Sequence, residues 1–426
     1  METLLHYVWK YKLYNSETLV TSSGSPVSII DAGIYNTHAG PDFFNAKIRI
    51  GNETWAGNVE IHSSASDWIK HGHHTDKAYN SVILHVVEYS NTEVYAENGY
   101  LIPQLILQIP EKIRENYEYL LSRETFVPCL SQIGDIPKLY LTDWMNALLV
   151  ERLERKTDDL QKLLNDYKGD WGEVFYITLS RNFGFGINND AFERLAKNLP
   201  LKYVLKHKNS ILQVEALFFG QAGLLSEEDE DKDDYYRFLQ KEYDFLRKKF
   251  DLKPLESHIF KSLRMRPNNF PHIKVAQLAA LVRTQEALFS KMFELEDIQS
   301  LRNLFISELT EYWNTHYLFG KNSPKRKKLI GLQAQNVILI NTVVPILFAY
   351  GKVKKQLHLQ EKAIRLLDLI KPESNYITNE FAKVGIFPCH AGDSQALIQL
   401  QKEYCEKKKC IFCRIGHKLL SSAYPS

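Results

Sequence analysis

Apolar residues in the first 125 positions follow first a helical and then a strand-like pattern. Between Leu4 and Leu13 they recur every three to four residues, which predicts an amphipathic helix. Alternating apolar and polar residues then predict two strands, joined by a turn at 51–53. The remaining predicted elements here are a strand at 27–34, a short helix at 74–80, a buried strand at 81–89 and an extended piece at 101–109.

From about Leu139 onward the apolar positions have a helical period. One long amphipathic helix is predicted from Trp144 to Leu164, and many shorter helices follow it. The chain has 426 residues, more than one hydrophobic core usually serves. We therefore predict an α+β protein. A small mixed-sheet domain, with elements in the order helix, three strands, helix, strand, is expected at 1–125, an all-helical domain at 126–380, and a cysteine-rich segment packed on it at 381–426.

The composition is that of an ordinary folded protein. The hydrophobic fraction is 44%, the charged fraction 24% and the formal net charge +2, which indicates no strong attraction to nucleic acids or membranes. Charges within residues 1–13 argue against a secretory signal. The most apolar stretch, Val337–Tyr350, contains Asn341 and Pro345, so a buried helix is expected rather than a membrane span. We expect a cytoplasmic protein, with the acidic run at 227–234 as a solvated loop.

Two short motifs contain the most specific candidate chemistry, Gly40-Pro41-Asp42 and Glu60-Ile61-His62. They lie at the open end of the predicted hairpin, where a tight turn places Asp42 opposite residues 61–63. Glu60 and His62 share a face because strand side chains alternate. If the register also places Asp42 on that face, two carboxylates converge into a site suited to Mg²⁺ or Mn²⁺. Alternatively, Asp42 accepts local turn hydrogen bonds and Glu60 is an exposed strand residue.

These motifs and the order of elements over residues 1–110 resemble the PD-(D/E)XK nuclease superfamily. The resemblance implies that Asp42 and Glu60 bind Mg²⁺ or Mn²⁺ and that the chain hydrolyses phosphodiester bonds of DNA or RNA. His62 occupies the position of the superfamily's lysine and would assist water. Lys47 cannot easily replace that lysine, since its parity along the strand is opposite to that of Asp42. A second hypothesis is therefore a non-catalytic nucleic-acid-binding or scaffold protein with a degenerate nuclease core.

A histidine-rich segment follows the second motif and adds candidate site residues. His71, His73 and Asp76 have a spacing that also fits a zinc-dependent hydrolase, which is a third hypothesis. Tyr79 is a further candidate at this site, as is His38, just before the first motif. His85, within the buried strand, is expected to be a core histidine.

Four of the five cysteines lie near the C-terminal end of the sequence. Cys405, Cys410 and Cys413 occur within a lysine-rich stretch, and Cys389 lies upstream, whereas Cys129 stands alone. The clustering argues against a disulfide framework. Cys389, Cys405, Cys410 and Cys413 would form a closed structural Zn²⁺ site. An iron–sulfur cluster is a second possibility, and buried thiols without a metal are a third.

Basic residues of the helical region are candidates for nucleic-acid contacts. Arg264 and Arg266 belong to a proline-rich loop before a predicted helix, and Lys325 and Arg326 follow Pro324. Such groups could hold phosphate, or they could cap helices and set their packing.

The chain as a whole also resembles an uncharacterised bacterial family, a domain of unknown function. The residues that carry this resemblance are LHYVWKYKLY at 5–14, AGPDFFNAKI at 39–48, GNVEIH at 57–62, RPNNFP at 266–271, VAQLAALV at 275–282 and YCEKKKCIFC at 404–413. It implies a bacterial cytoplasmic protein and no established activity.

Overall fold

The structure, a computed structural model, describes residues 2–225 and 233–422. Residues 227–232 of the acidic run lie outside these ranges. The N-terminal elements are α1 (Glu2–Lys10), β1 (Val27–Asp31), β2 (Ile34–Tyr35), β3 (Phe43–Ile50), β4 (Glu53–Ser64), α2 (Asp67–Lys70), β5 (Val82–Tyr89), β6 (Gln104–Ile106) and α3 (Glu111–Ser122). The predicted helix at 74–80 forms instead as two 3₁₀ turns, His73–Thr75 and Lys77–Ser81.

The rest of the described chain is helical apart from one small hairpin. Its elements are α4 (Lys138–Asp166), α5 (Trp171–Phe183), α6 (Asn189–Asn198), α7 (Leu201–Lys206), α8 (Ile211–Gln221), α9 (Asp234–Phe250), α10 (Pro271–Val282), α11 (Gln285–Glu294), α12 (Ile298–Asn303), α13 (Glu311–Thr315), β7 (His316–Leu318), β8 (Lys321–Asn322), α14 (Leu332–Ile338), α15 (Val344–Val353), α16 (Leu357–Leu369), α17 (Tyr376–Lys383), α18 (Ala391–Gln399) and α19 (Arg414–Ser421). A small mixed sheet followed by a large helical region confirms the predicted α+β class.

Contacts divide the chain into two compact units. The first comprises residues 1–144, 380–386 and 400–426 and contains the sheet. The second comprises residues 145–379 and 387–399 and contains most of the helices. The cysteine-rich stretch from residue 400 onward therefore belongs to the unit that contains the sheet.

The sheet has the strand order β1-β3-β4-β5-β6, with β2 paired to the end of β3. Strands β1 to β4 pair antiparallel, whereas β4, β5 and β6 pair parallel. One face packs on α1, where Val59 and Ile61 of β4 join the main core. Because side chains alternate, Glu60 and His62 point to the other face, on the side of the smaller core around Trp68.

A β-bulge in β3 sets the register at the open end of the hairpin. Ala46 pairs with Gly57, but Phe43 pairs with Val59, so three steps on β3 match two on β4. Asn45, inside the bulge, has a left-handed backbone with a φ of 56°. The slip places Asp42 opposite Glu60, on the face of Glu60 and His62, rather than opposite residues 61–63. An uninterrupted hairpin would turn Asp42 towards the core face.

The most apolar helical stretch lies in the second unit. Leu332–Val353 is long and apolar enough to cross a membrane by length and composition, and 67% of its most apolar window is buried. Pro345 has no backbone N–H, so it cannot donate the usual helical hydrogen bond to the backbone carbonyl of Asn341. A π-helical turn occupies Leu339–Val343 just before it. The Asn182 amide donates instead to the Asn341 carbonyl, at 2.9 Å. The burial is that of a core helix.

The bulge can be tested at Asn45, because a β-branched residue tolerates the left-handed region poorly. Asn45→Val should lower the free energy of unfolding by about 1–2 kcal/mol, whereas Asn45→Gly should stay within about 0.5 kcal/mol of wild type. Urea denaturation followed by tryptophan fluorescence measures both. Equal stability of the two variants would show that the backbone at residue 45 is not held in this conformation.

Candidate metal centre

The two acidic residues of the motifs meet in the structure. The Asp42 backbone N–H donates to Glu60 Oε2 at 3.1 Å, and the Ile61 backbone N–H donates to Asp42 Oδ2 at 2.9 Å. Each strand thus binds the carboxylate of the other. Glu60 is buried, with 4% of its surface exposed, whereas the Asp42 side chain keeps 23%. The pair therefore lies at a boundary between the protein interior and solvent.

Two histidines lie beside the second carboxylate oxygen of Glu60, and a third histidine contacts one of them. His73 Nε2 lies 3.2 Å from Glu60 Oε1, and His62 Nε2 lies 3.6 Å from it. His71 Nδ1 lies 3.0 Å from His62 Nε2. One donor nitrogen from each of these histidines lies within 4.8 Å of the other two. The three histidine nitrogens thus form one group, and Glu60 Oε1 lies beside two of them, those of His62 and His73.

The segment after β4 brings His71 and His73 back to the sheet. His71 ends helix α2, Gly72 adopts a left-handed φ of 79°, and His73 begins the next 3₁₀ turn. His73 stacks on Tyr79 with ring centroids 3.8 Å apart, and the aromatic face of Trp68 covers its edge. Apolar packing thus fixes the His73 ring, whereas His71 remains exposed.

His85 on β5 supports His62 from behind. His62 Nδ1 and His85 Nε2 are 2.9 Å apart, so one of the two nitrogens carries the shared proton. If His62 Nδ1–H donates to His85 Nε2, the other ring nitrogen of His62, Nε2, keeps a free electron pair. This electron pair faces Glu60 and His71. Such an arrangement fixes the ring and raises the basicity of a ligating histidine.

The ionisation of the cluster follows from its burial. Desolvation lowers the pKa of His62 to about 3, and the neighbouring histidines add to this effect. Desolvation likewise lowers the pKa of His85 to about 3. Desolvation raises the pKa of Glu60, and the nearby charge of Asp42 raises it further. The hydrogen-bonding effect of His73 lowers this pKa, but by less. Burial also raises the pKa of Tyr79 to about 12, so its hydroxyl stays protonated at neutral pH.

The donor atoms fit a transition-metal ion better than Mg²⁺. In a tetrahedral site with bonds of roughly 2.1 Å, neighbouring donor atoms lie roughly 3.4 Å apart. Three donor pairs, at 3.0, 3.2 and 3.6 Å, lie close to this value, and the three histidine nitrogens all lie within 4.8 Å of one another. His73 Nε2 is buried and has no hydrogen bond of good geometry. A nitrogen-rich set of this kind favours Zn²⁺, Mn²⁺ or Fe²⁺, whereas Mg²⁺ prefers oxygen ligands.

Other predicted residues of this region lie outside the cluster. Asp76 is exposed, and its carboxylate caps the 3₁₀ turn by accepting from the Ala78 N–H at 2.9 Å. His38 is exposed in the loop that the Asn36 side chain stabilises. In a regular strand Lys47 and Asp42 would lie on opposite faces. The bulge between them shifts the alternation by one residue, so the two positions now fall on the same face. Lys47 nevertheless pairs with Ala56, four residues from Glu60 and therefore roughly 13 Å along the strand.

Sequence reasoning missed His6 as a member of this region. His6, on α1, lies 3.3 Å from Asp42 Oδ2 and 3.4 Å from the Ile61 carbonyl oxygen. Burial alone would lower its pKa, but the hydrogen bond and charge of Asp42 outweigh burial and raise it. No spacing in the sequence connects α1 to this strand, because the contact is tertiary.

The predicted basic residues are exposed on the second unit. Arg264 and Arg266 are exposed, as is Arg326, and Lys325 forms an ion pair with Glu311 at 3.5 Å. A separate basic cavity of about 600 Å³ lies between α4, α5 and α6. Its basic lining residues are Arg152, Arg155, Lys156, Lys162, Arg181 and Lys197, against the acidic Asp159, Asp166 and Glu193.

The buried histidines should make the metal-free protein sensitive to acid. His62 and His85 have folded pKa values near 3, below the ordinary 6.5, so the unfolded chain binds their protons first. Their stability contribution is full above pH 6.5 and is lost as the pH falls towards 3, by about 1.4 kcal/mol per pH unit for each group. Urea unfolding with chelator at pH 7, 6 and 5 measures this slope. His85→Gln should make the dependence of the free energy of unfolding on pH shallower, and the exposed control His74→Gln should leave it unchanged. The same slope in both variants would show that His85 is not buried in its neutral form.

Comparison with known proteins identifies a family but no activity. No curated protein and no solved structure gives a significant match. A family model described as protein of unknown function DUF2851 matches residues 2–376, well over half of the chain. The resemblance to a family of unknown function is thereby confirmed, and the nuclease resemblance stays a hypothesis. The chain belongs to the DUF2851 family.

Proposed function

We propose that the protein is a metal-dependent hydrolase that cleaves phosphodiester bonds in nucleic acid. The observation that carries the proposal is the convergence of Asp42, Glu60 and three histidines at one end of the β3–β4 hairpin. The cluster unites the acidic pair and the histidines that the sequence suggested as separate sites. Glu60, His62, His71 and His73 would hold the ion, and Asp42 lies beside them. A divalent ion bound there would activate water and neutralise charge on a phosphate.

His62 has a different role from the lysine whose position it occupies. Its two nitrogens face Glu60 and His71 on one side and His85 on the other. The ring is 2% exposed, so it cannot reach a substrate directly. His62 is therefore proposed as a ligand rather than as the group that positions water.

His6 is the better candidate for the task of the missing lysine. Its side chain remains 13% exposed and lies against Asp42, whose charge favours the protonated imidazole. A protonated His6 would orient water or a phosphate oxygen beside Asp42. Because its charge is lost as the pH rises, cleavage that depends on it should decline at alkaline pH.

Two adjacent histidines allow a matched test of the centre. His73→Ala removes a buried nitrogen that faces Glu60, whereas His74→Ala changes an exposed neighbour. His73→Ala should lower the affinity for Mn²⁺ or Zn²⁺ by more than about 100-fold, and His74→Ala by less than about 3-fold, because removal of a supporting group alone costs about 10–100-fold. Isothermal titration calorimetry on the metal-free full chain measures both affinities.

Cleavage is tested with His73→Ala, His74→Ala, Glu60→Gln and Asp76→Asn. Labelled single- and double-stranded DNA and RNA are incubated with Mn²⁺, Zn²⁺ or Mg²⁺. Loss of cleavage in His73→Ala and Glu60→Gln, with retention in His74→Ala, supports the proposal. Metal binding without cleavage of any substrate would favour the second candidate, a nucleic-acid-binding protein with a degenerate core. Cleavage that depends on Asp76 but not on Glu60 would favour the third, a zinc hydrolase built on His71, His73 and Asp76.

The basic cavity of the second unit is the better candidate for contacts with the nucleic-acid backbone. Six basic and three acidic residues line it, and Glu193 is already paired with Arg181 at 2.7 Å and Lys197 at 2.6 Å. Lys156 is half-buried, and desolvation lowers its pKa to about 7, so an anion in the cavity would favour its charged form. The cavity therefore provides concentrated positive charge that the exposed basic loop at Arg264 does not.

Charge removal in the cavity and in the loop can be compared directly. The double variant Lys162→Gln/Arg181→Gln should weaken binding of single-stranded DNA at least about 10-fold and reduce the logarithmic salt dependence by about 1.4, for two lost phosphate contacts. The matched variant Arg264→Gln/Arg266→Gln should change neither quantity. Fluorescence anisotropy at several salt concentrations measures both. The opposite pattern would assign the backbone contacts to the predicted loop.

A further inference from the structure

Four cysteines of the first unit line one small cavity. They are Cys129, Cys405, Cys410 and Cys413, and the remaining lining is almost wholly apolar. The cavity has a volume of about 20 Å³, which is room for one water-sized object. Cys129 is separated from the others by more than 270 residues of sequence, so the fold, not the local motif, brings it here.

Three distinct local structures present these thiols. Cys129 begins a turn in which its carbonyl accepts from the N–H groups of Gln132 and Ile133, both at 3.0 Å. Cys405 ends the π-helical turn Leu400–Cys405, and a left-handed Lys408, with a φ of 50°, then reverses the chain. This reversal brings the following cysteines back to the same cavity.

Cys410 and Cys413 form a tight loop at the start of α19. Cys413 is the residue before the helix, and burial raises the pKa of its thiol, against a smaller lowering effect of the backbone N–H groups of Gly416 and Ile415. A Cβ on Gly416 would lie 2.0 Å from the Cys410 carbonyl oxygen, so only glycine allows the loop to close.

We propose that Cys129, Cys405, Cys410 and Cys413 bind one Zn²⁺ ion in a closed structural site. Four thiolates are a complete tetrahedral ligand set for zinc, and a dry apolar surrounding is typical of such sites. The small cavity admits a single ion but not a four-iron cluster. The proposal is independent of the hydrolase activity proposed above.

The sulfur atoms must close in on the ion. Zinc–sulfur bonds of roughly 2.3 Å place neighbouring sulfurs roughly 3.8 Å apart. Among the described residues, the histidine cluster is the group with three donor atoms within 4.8 Å of one another, so no three of the four sulfurs lie that close together. Binding of the ion therefore requires the cysteine side chains to move closer together.

Cys129 takes the place that the sequence pattern gave to Cys389. Cys389 is exposed and belongs to the second unit, where its backbone N–H donates to Asp393 Oδ2 at 2.8 Å. Cys129, in contrast, lines the same cavity as Cys405; burial raises the pKa of Cys405 most, and the nearby thiols of Cys413, Cys129 and Cys410 raise it further. His417 lies outside the set, since its Nδ1 faces the Tyr7 hydroxyl at 2.9 Å.

Substitution of Cys129 and of Cys389 gives a matched pair of variants. Both are made in the full chain that also carries His73→Ala, so that zinc at the histidine cluster does not contribute. Mass spectrometry of the purified proteins should find one zinc per chain in the His73→Ala parent and in its Cys389→Ala variant, and less than about 0.2 in its Cys129→Ala variant. Zinc lost from the Cys389→Ala variant alone, iron with acid-labile sulfide, or no metal in the parent would each overturn the proposal.

A second measurement covers the case in which Cys129→Ala does not fold. Wild-type protein is treated with iodoacetamide in native buffer, before and after addition of a strong zinc chelator. Cys389 should react at once, and the other four cysteines should react only after the chelator has removed zinc. Cobalt substitution should produce a thiolate-to-cobalt charge-transfer band in wild type and in Cys389→Ala. Buried thiols whose alkylation does not depend on the chelator would show that the four cysteines are core residues without a metal.

Discussion

The candidate metal centre depends on the reciprocal hydrogen bonds between the Asp42 and Glu60 strands. Each carboxylate accepts a backbone N–H from the other strand, at 3.1 and 2.9 Å. A buried carboxylate without partners would be costly, and these bonds, with the histidines, compensate Glu60 for lost hydration. The bulge at Asn45 shifts the register by one residue, so that Asp42, just before the paired Phe43, follows on opposite Glu60. A single left-handed residue thus decides whether the hairpin has a site.

The surroundings of this acidic pair determine which ion it suits. An isolated pair of carboxylates offers oxygen ligands, but here His62, His71 and His73 occupy the space around Glu60. Burial keeps His62 and His85 neutral, which is the form in which a histidine can ligate a metal. His62 at the usual lysine position is therefore consistent with a change of metal rather than with simple loss of a catalytic group.

The sequence predicts those parts of the fold that depend on local periodicity. The alternation along β3 and β4, the turn between them and the long helix α4 are recognisable from spacing alone. The register is not, because nothing in a single asparagine at position 45 distinguishes a bulge from a regular strand residue. His6 and Cys129 were missed for a related reason. Their partners are distant in sequence, and contacts made only in the folded chain leave no spacing to detect.

The first unit contains two clusters of metal-ligating residues with opposite relations to solvent. At the histidine cluster, His71 is exposed and Asp42 partly so, which leaves a side on which water and a phosphate could approach. The four cysteines line a cavity of about 20 Å³ whose other walls are almost wholly apolar, which gives a charged substrate no polar surface to approach. An open position is what a hydrolytic ion requires, and a full set of protein ligands is what a structural ion requires. The difference in exposure, more than the identity of the ligands, is the physical reason for proposing chemistry at the first cluster and stabilisation at the second.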